Sequence, residues 1–300
     1  MKHRLKSTAQ PFFHRIARFG LRDELRNLEH MYRRASEIET RLNIHERYLE
    51  HTWSKNVASQ SYKRPALKRR PLSLDESLRR LRAIAPAAYL EWRRVSENAS
   101  KAYRGFPTHS CSVKGHMDAE LFRLFILPDL NGTVLDVGCG PQPIPEYLHG
   151  YPLYMIHGID PISTQDDHPF AFVQGVAEFL PWKDKQFDTV IVATSLDHVL
   201  LLDKALLEIR RVIKRGGYLF TWDAFIKGAK KYDPYQNEVV AVDEFHLFHF
   251  DDWFESAVKP LFEIDEIYTL PANGSNRTRF YKLRARRALG ATSMTAPARC

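Results

Sequence analysis

The residues with the most chemical potential cluster between positions 134 and 198. Val134-Leu-Asp-Val-Gly-Cys-Gly-Pro-Gln-Pro143 reads as a buried strand running into a Gly-x-Gly turn, with Pro143 placed to begin a helix. Gly138 and Gly140 carry no Cβ, so the turn can fold tightly and a ligand can lie against its backbone N–H groups. Asp160 ends Gly158-Ile-Asp160, where a carboxylate can accept hydrogen bonds from two ribose hydroxyls. Asp197-His198 falls just past a later strand, at the carboxyl edge where open α/β sheets hold their ligands. A neutral His or a carboxylate at that edge can take a proton from a hydroxyl, and His198 is the best candidate for a general base. His246 and His249 stand three residues apart, a spacing that permits metal ligation. No third ligand is visible beside them, so no metal is expected and packing is the better account of at least one.

The elements that must hold these residues change character along the chain. From Thr133 onward, β-rich runs alternate with helical ones. The expected strands are Thr133–Val137, Leu153–Ile159, Phe170–Gln174, Phe187–Ala193, Tyr218–Trp222, Phe262–Tyr268 and Arg277–Leu283. Asp203–Lys214 has the apolar spacing of a helix, stopped by Gly216-Gly217. Such alternation predicts an α/β fold with a mostly parallel, doubly wound sheet. Upstream, Leu21–Trp53 reads as one long helix with two good heptads, able to self-associate or to pack in a hairpin. Ser54–Pro71 reads as an exposed basic linker. Ser73 or Asp75 is placed to cap the next helix, which Pro86 should kink or split. Asp118–Leu127 predicts a short amphipathic helix. The expected organisation is a basic helical region over 1–110, a catalytic domain over 111–287 and a tail over 288–300.

The chain has 300 residues, with 44 Lys and Arg against 36 Asp and Glu, a net charge of +8. That charge is unevenly placed. Residues 1–110 hold 24 basic against 11 acidic groups, 111–280 hold 15 against 25, and 281–300 hold 5 against none. An acidic centre is therefore flanked by basic ends, which suit an anionic surface or polymer, or simply a solvated exterior. At 44% hydrophobic the composition is globular and excludes a wholly disordered chain. Three widely spaced cysteines offer no disulfide framework, and a reducing compartment is expected. No apolar run reaches the roughly 20 residues of a membrane span. A cytoplasmic location is expected, with peripheral membrane association open because Phe12, Ile16 and Phe19 share a helical face in a basic segment.

The order VLDVGCG, GID, GVAEFLPW, FDTVIVATSLDHV and LLEIRRVIKRGGYLF resembles the class I S-adenosylmethionine-dependent methyltransferases, in the group with an A-E-x-L-P adenine motif. The resemblance covers about residues 130–283. It implies a Rossmann-like fold of seven strands with the last one antiparallel, and S-adenosyl-L-methionine as cofactor. Carried over, it places Gly138, Cys139 and Gly140 along the methionine part of the cofactor and has Asp136 orient the turn. It has Asp160 bind the ribose, with Pro161 and Ile162 flanking the adenine. It sets the Ala177 backbone and the Glu178 side chain at the adenine edge, and Thr194 and Ser195 beside the sulfonium. His198 and Asp197 are then the catalytic candidates, and Trp222, Asp223, His246 and His249 are candidates for the acceptor side, with Tyr232 and Tyr235 in an insertion above it. Gln142-Pro143 stands where the family often has a third glycine, which narrows or stiffens the loop. Ser195-Leu-Asp-His198 stands where methyltransferases of exocyclic base and amide nitrogens carry an Asn-Pro-Pro-Tyr-like tetrapeptide, which disfavours a nucleic-acid acceptor. The leading expectation is O-methylation of a small-molecule, lipid or saccharide acceptor. An RNA methyltransferase gripping phosphates through its basic N-terminal region is the first alternative. A non-catalytic scaffold that retains the fold, with the coiled-coil-like helix as its working part, is the second; a homodimer through that long helix is a separate expectation.

Overall fold

A computed structural model describes residues 64–106, 113–163, 167–270 and 276–286. The long helix expected over Leu21–Trp53, and the homodimer and anionic-surface contacts attached to it, lie outside the described residues. Within them, helices α1 (Leu74–Ile84), α2 (Pro86–Gly105) and α3 (Met117–Ile126) precede the sheet. Ser73 caps α1, its hydroxyl accepting from the Glu76 N–H. Pro86 divides α1 from α2 and occupies the first turn of α2, where its missing N–H costs no intrahelical bond.

The sheet contains β1 (Val134–Val137), β2 (Ile156–Asp160), β3 (Ala171–Gln174), β4 (Phe187–Ala193), β5 (Ile213–Ile226), β6 (Phe262–Thr269) and β7 (Asn276–Ala285). Helix α4 (Leu202–Val212) leads into β5, and α5 (Trp253–Val258) into β6. The strand order is β3-β2-β1-β4-β5-β7-β6. The first five strands pair in parallel, and β7 is inserted antiparallel between β5 and β6. This is the Rossmann-like arrangement expected. Order reverses at β1, whose neighbours are β2 and β4, so the carboxyl ends of these three strands open the crevice where such sheets bind ligands.

Three local expectations are corrected. Pro143 begins no α-helix: Pro141, Pro143 and Pro145 lead into a single 3₁₀ turn at Glu146–Leu148. Alternate prolines remove backbone donors and force the residues before them to be extended, so a helix cannot propagate there. Helix α4 stops at Val212, and Gly216-Gly217 lies inside β5 rather than ending the helix. Gly216 has φ +75°, and a Cβ on Gly217 would lie 2.5 Å from the Asp188 carbonyl oxygen, so these glycines allow the β4–β5 register shift and close strand contact. Residues 64–68, expected as an exposed linker, are mostly exposed but their backbone is stitched to the domain. The Lys68 N–H donates to the Pro181 carbonyl and the Lys183 N–H to the Ala66 carbonyl. Leu67 bridges Trp182.

Helices α1 and α2 share the apolar core of the sheet. Leu81, Ala88, Trp92 and Val95 sit in one buried cluster with Leu135, Val190, Leu206 and Tyr281. Burial of this kind contributes about 25 cal/mol per Å² of apolar surface. On the other flank, Phe122 of α3 packs against Tyr147, Trp222 and Phe280. No helix among the described residues is long and apolar enough to cross a membrane.

Candidate functional site

A cleft of about 930 Å³, part of it open to solvent, lies over the carboxyl ends of β1, β2 and β4. Its floor is the turn after β1. Gly138 (φ +73°) and Gly140 (φ +67°) both take left-handed conformations that favour glycine. A Cβ on Gly138 would lie 2.5 Å from both the Cβ and the Oγ of Ser195. The Ser195 hydroxyl in turn donates to the Val137 carbonyl, so the ends of β1 and β4 are tied across the cleft. Cys139 contributes to the lining, but the residue is 1% exposed and its Sγ lies against His168. Burial pushes its thiol pKa up, which argues against a nucleophilic role.

Asp160 lines the cleft and holds the turn. One carboxylate oxygen accepts from the Gly140 N–H at 3.0 Å; the other accepts from Ile162 and Ser163 N–H groups. Burial raises its pKa, and these three donors oppose the rise. Asp136 is 0% exposed and lies behind the turn rather than on the cleft wall, accepting from the Tyr147 hydroxyl. Burial lifts its carboxyl to about 8, the Tyr147 bond opposes that, and the nearby Asp160 charge adds to it.

Pro161, Ile162, Ala177, Glu178, Thr194 and Ser195 all line the same cleft. Glu178 carries a role its sequence position did not reveal. Its Oε1 accepts from the N–H groups of Leu200 and Leu201, capping the segment that enters α4. That oxygen is committed to the fold, while Glu178 still lines the cleft beside Ala177. Thr194 has φ +51°, and its N–H donates to the Trp222 carbonyl. This rare conformation for a β-branched residue turns the chain sharply out of β4.

One wall was not foreseen. Trp92, Ser96, Ala99 and Tyr103 of α2 line the cleft. Their spacing of four, three and four residues marks a single helix face, a pattern present in the sequence but hidden because it reads equally well as core packing.

His198 closes the cleft beside Thr194 and Ser195. It sits on a 3₁₀ turn, Leu196–His198, and burial pushes its pKa down against the pull of Asp197, keeping the imidazole neutral near pH 7. Behind it the chain gathers the remaining candidates. His198 Nε2 is 3.6 Å from one Asp197 oxygen, and His246 Nε2 is 3.9 Å from the other. His246 Nδ1 lies 2.8 Å from Asp243, whose carboxylate also accepts from the Phe245 and His246 N–H groups. His249 Nε2 is 3.5 Å from Asp243. Asp243, three and six positions before them, is the nearer carboxylate of both His246 and His249, and Asp197 reaches His246 from across the fold. Asp223 is 0% exposed; burial first, then the Asp197 charge, pushes its carboxyl well above the usual range, against the pull of the Leu196 backbone. Trp222, Asp223, His246 and His249 are not among the residues lining the cleft. Trp222 instead packs on Phe122 and Phe280, while Tyr232 stacks on Phe248 and donates to the Leu200 carbonyl.

Residues 135–221 match the family described as "Methyltransferase domain". This stretch is similar to the methyltransferase domains of that family. The matched stretch begins within β1 and ends within β5, and so contains the glycine turn, Asp160, Glu178 and His198. The probable methyltransferase ltbC of Aspergillus luteorubrus is 31% identical over 146 residues, covering 40% of this chain and 50% of that protein. The ubiquinone/menaquinone biosynthesis C-methyltransferase UbiE of Hahella chejuensis is 42% identical over 115 residues, covering 37% of this chain and 38% of that protein. The chain therefore spans half the length or less of these curated relatives. The crystal structure of Burkholderia thailandensis 1,6-didemethyltoxoflavin-N1-methyltransferase, with bound 1,6-didemethyltoxoflavin and S-adenosylhomocysteine, matches with a TM-score of 0.52 at 14% identity. It covers 76% of this chain and 98% of that one, and the likeness is one of fold. The methyltransferase domain thus holds the cleft, while α2, outside the matched residues, supplies its opposite wall.

Proposed function

We propose that the protein is an S-adenosylmethionine-dependent methyltransferase that methylates a hydroxyl of a small-molecule, lipid or saccharide acceptor. The observation that carries this reading is the Gly138–Gly140 turn, clamped by Asp160, on the floor of a cleft whose wall ends at His198. The donor set fits the cofactor. Exposed backbone at the turn suits the methionine part, Asp160 retains acceptor capacity toward ribose hydroxyls, and the Ile162 side suits an apolar base. S-adenosylmethionine, when bound, supplies a methyl group on a sulfonium leaving group.

The chain's own residues then have two tasks. The first is alignment: the β4 end at Thr194-Ser195 and the α2 face at Ser96 and Tyr103 fix the space available to an acceptor and exclude water. The second is the proton. A hydroxyl must lose it as its oxygen forms the new bond to carbon and the carbon–sulfur electrons go to sulfur. His198, neutral and on the cleft wall, handles that proton. The relatives named as C-methyltransferases favour an activated carbon as the second acceptor class, which also needs a proton removed.

Transfer of a tritiated methyl group into fractions of a cell extract tests this reading. Label should partition with low-molecular-mass or lipid-extractable material. Absence of S-adenosylhomocysteine binding by the intact protein would overturn it in favour of the scaffold, and label in RNA would restore the nucleic-acid alternative.

A further inference from the structure

We infer that Asp197, His198 and His246 form a binding site for one divalent transition-metal ion at the acceptor end of the cleft. Each offers one ligand atom, and these atoms all lie within 4.8 Å of one another. The spacings of 3.6 Å and 3.9 Å from the Asp197 oxygens to the two Nε2 atoms are close to what coordination needs. Ligands about 2.1 Å from a tetrahedral ion stand about 3.4 Å apart, so the two carboxylate–imidazole pairs need a few tenths of an ångström of adjustment and the widest pair, within 4.8 Å, up to about 1.4 Å. Two imidazoles with one carboxylate suit Zn²⁺, Fe²⁺, Co²⁺ or Mn²⁺ rather than Ca²⁺ or Mg²⁺, and three ligands leave positions open.

Two further observations point to an ion. The Asp197 side chain is 4% exposed, and its Oδ1, the atom facing His198, has no hydrogen bond. A carboxylate so placed is costly unless compensated. Independently, Asp243 holds His246 from the far side. A carboxylate only accepts, so the 2.8 Å contact places the proton on Nδ1 and leaves the Nε2 lone pair toward Asp197 and His198. A carboxylate behind a histidine in this way is the usual support of a metal-bound imidazole. The second possible set, Asp243 with His246 and His249, is less suited, because Asp243 is 40% exposed and already bonded to His246 Nδ1.

Occupancy of the site stands apart from the methyl-transfer reading; its use rests on that reading. An ion held by His198 on the cleft wall would bind the acceptor oxygen at an open position and lower the pKa of its hydroxyl. With an ion bound, His198 would act as a ligand in place of its role as base, and the acceptor's proton would leave through the part of the cleft open to solvent.

The test is a titration of the full chain, stripped with a chelator and desalted, with Co²⁺ followed by visible absorption, and with Zn²⁺ by calorimetry. One ion per chain is expected, with visible Co²⁺ bands that Zn²⁺ abolishes. His246→Ala and Asp197→Asn should weaken binding at least tenfold, Asp243→Asn by about 10–100-fold with stoichiometry kept, and His249→Ala by less than about threefold. His246→Gln, a change on a surface loop, guards against a folding defect, with near-ultraviolet circular dichroism as the check. Failure of the wild-type chain to bind stoichiometrically overturns the inference. So does loss in His249→Ala with Asp197→Asn unaffected, which would move the ion to the other set. S-adenosylhomocysteine binding measured on the same samples separates the two claims. Its retention without metal binding removes the ion alone, and metal binding without it removes the cofactor reading alone.

Discussion

The two ends of the cleft handle buried carboxylates in opposite ways. At the cofactor end, Asp160 accepts from three backbone N–H groups and Glu178 from two. Behind the His198 end, Asp197 Oδ1 has no hydrogen bond, and Asp223 has only the Leu196 backbone to set against its burial. A carboxylate satisfied by backbone is a strut, and it fixes the shape of the place a ligand enters. A buried carboxylate left without donors keeps its charge, or a proton, available to something else.

The sharpest way to break this contrast is to deform the strutted end. Gly138→Val places a Cβ in a left-handed conformation and against Ser195. The conformation alone costs about 1–2 kcal/mol and the collision adds to it. Loss of about 3 kcal/mol corresponds to a hundredfold, so S-adenosylhomocysteine binding by calorimetry should vanish. Retained binding would mean that the turn is not the cofactor floor. Glu178 comes next. Glu178→Ala leaves two buried N–H groups without acceptors, at about 1–3 kcal/mol each, and should lower the denaturation midpoint clearly. Glu178→Gln keeps an acceptor at Oε1 and should bind S-adenosylhomocysteine within about threefold of wild type, since amide for carboxylate changes one acceptor's charge but not its geometry. A large binding loss in Glu178→Gln would return its side chain to the adenine edge and weaken the distinction between strut and ligand.

Much of the strutted end is visible in the sequence because its chemistry is local. Gly138 and Gly140 follow a β-rich run directly, and Asp160 closes another, so the strand-end positions announce themselves. The parallel order of the first five strands followed from the same alternation. Other features are invisible because they depend on distant partners. Nothing near Glu178 says that its carboxylate meets the chain at Leu200 and Leu201, more than twenty residues on. Asp197 and His246 are 49 positions apart, and only the approach of the 243–249 loop to the β4 end joins them. The helix expected at Pro143 failed for a local reason: the proline alternation was in view, but the Gly-x-Gly turn before it suggested the wrong successor. The α2 wall failed for a different one, since Trp92, Ser96, Ala99 and Tyr103 have the spacing of any core-facing helix.

A smaller effect tests whether Asp136 belongs with the struts or with the reserve of uncompensated carboxyls. It has one hydrogen bond, from Tyr147, and its other oxygen has none. Its pKa is about 8 in the folded protein against 3.8 for the ordinary carboxyl. The folded state therefore holds a proton that the unfolded state has lost between those values. Stability falls as pH rises through that window, by up to about 1.4 kcal/mol per unit. Urea denaturation at pH 6 and pH 9 should show wild type losing more stability than Asp136→Asn, whose amide cannot ionise. Equal losses would mean that the Tyr147 hydroxyl compensates the charge, which would place Asp136 among the struts.

The smallest expected effect concerns the wall that the methyltransferase domain itself does not supply. Tyr103 faces the cleft from the end of α2, one helix face with Trp92, Ser96 and Ala99. Trp92 is 7% exposed and belongs to the core, so its replacement would confuse binding with folding. Tyr103 is near the helix terminus and only part-buried, and truncating it should cost little stability. Aromatic contact with a ligand is worth about 0.5–1.5 kcal/mol beyond area, which predicts binding of S-adenosylhomocysteine weaker by about three- to tenfold in Tyr103→Ala. The acceptor's KM should rise with it if α2 borders both ligands, and stay unchanged if the helix covers the cofactor alone. Unaltered values for both would detach α2 from the site and leave the contrast between the two ends entirely within the strands and the 243–249 loop.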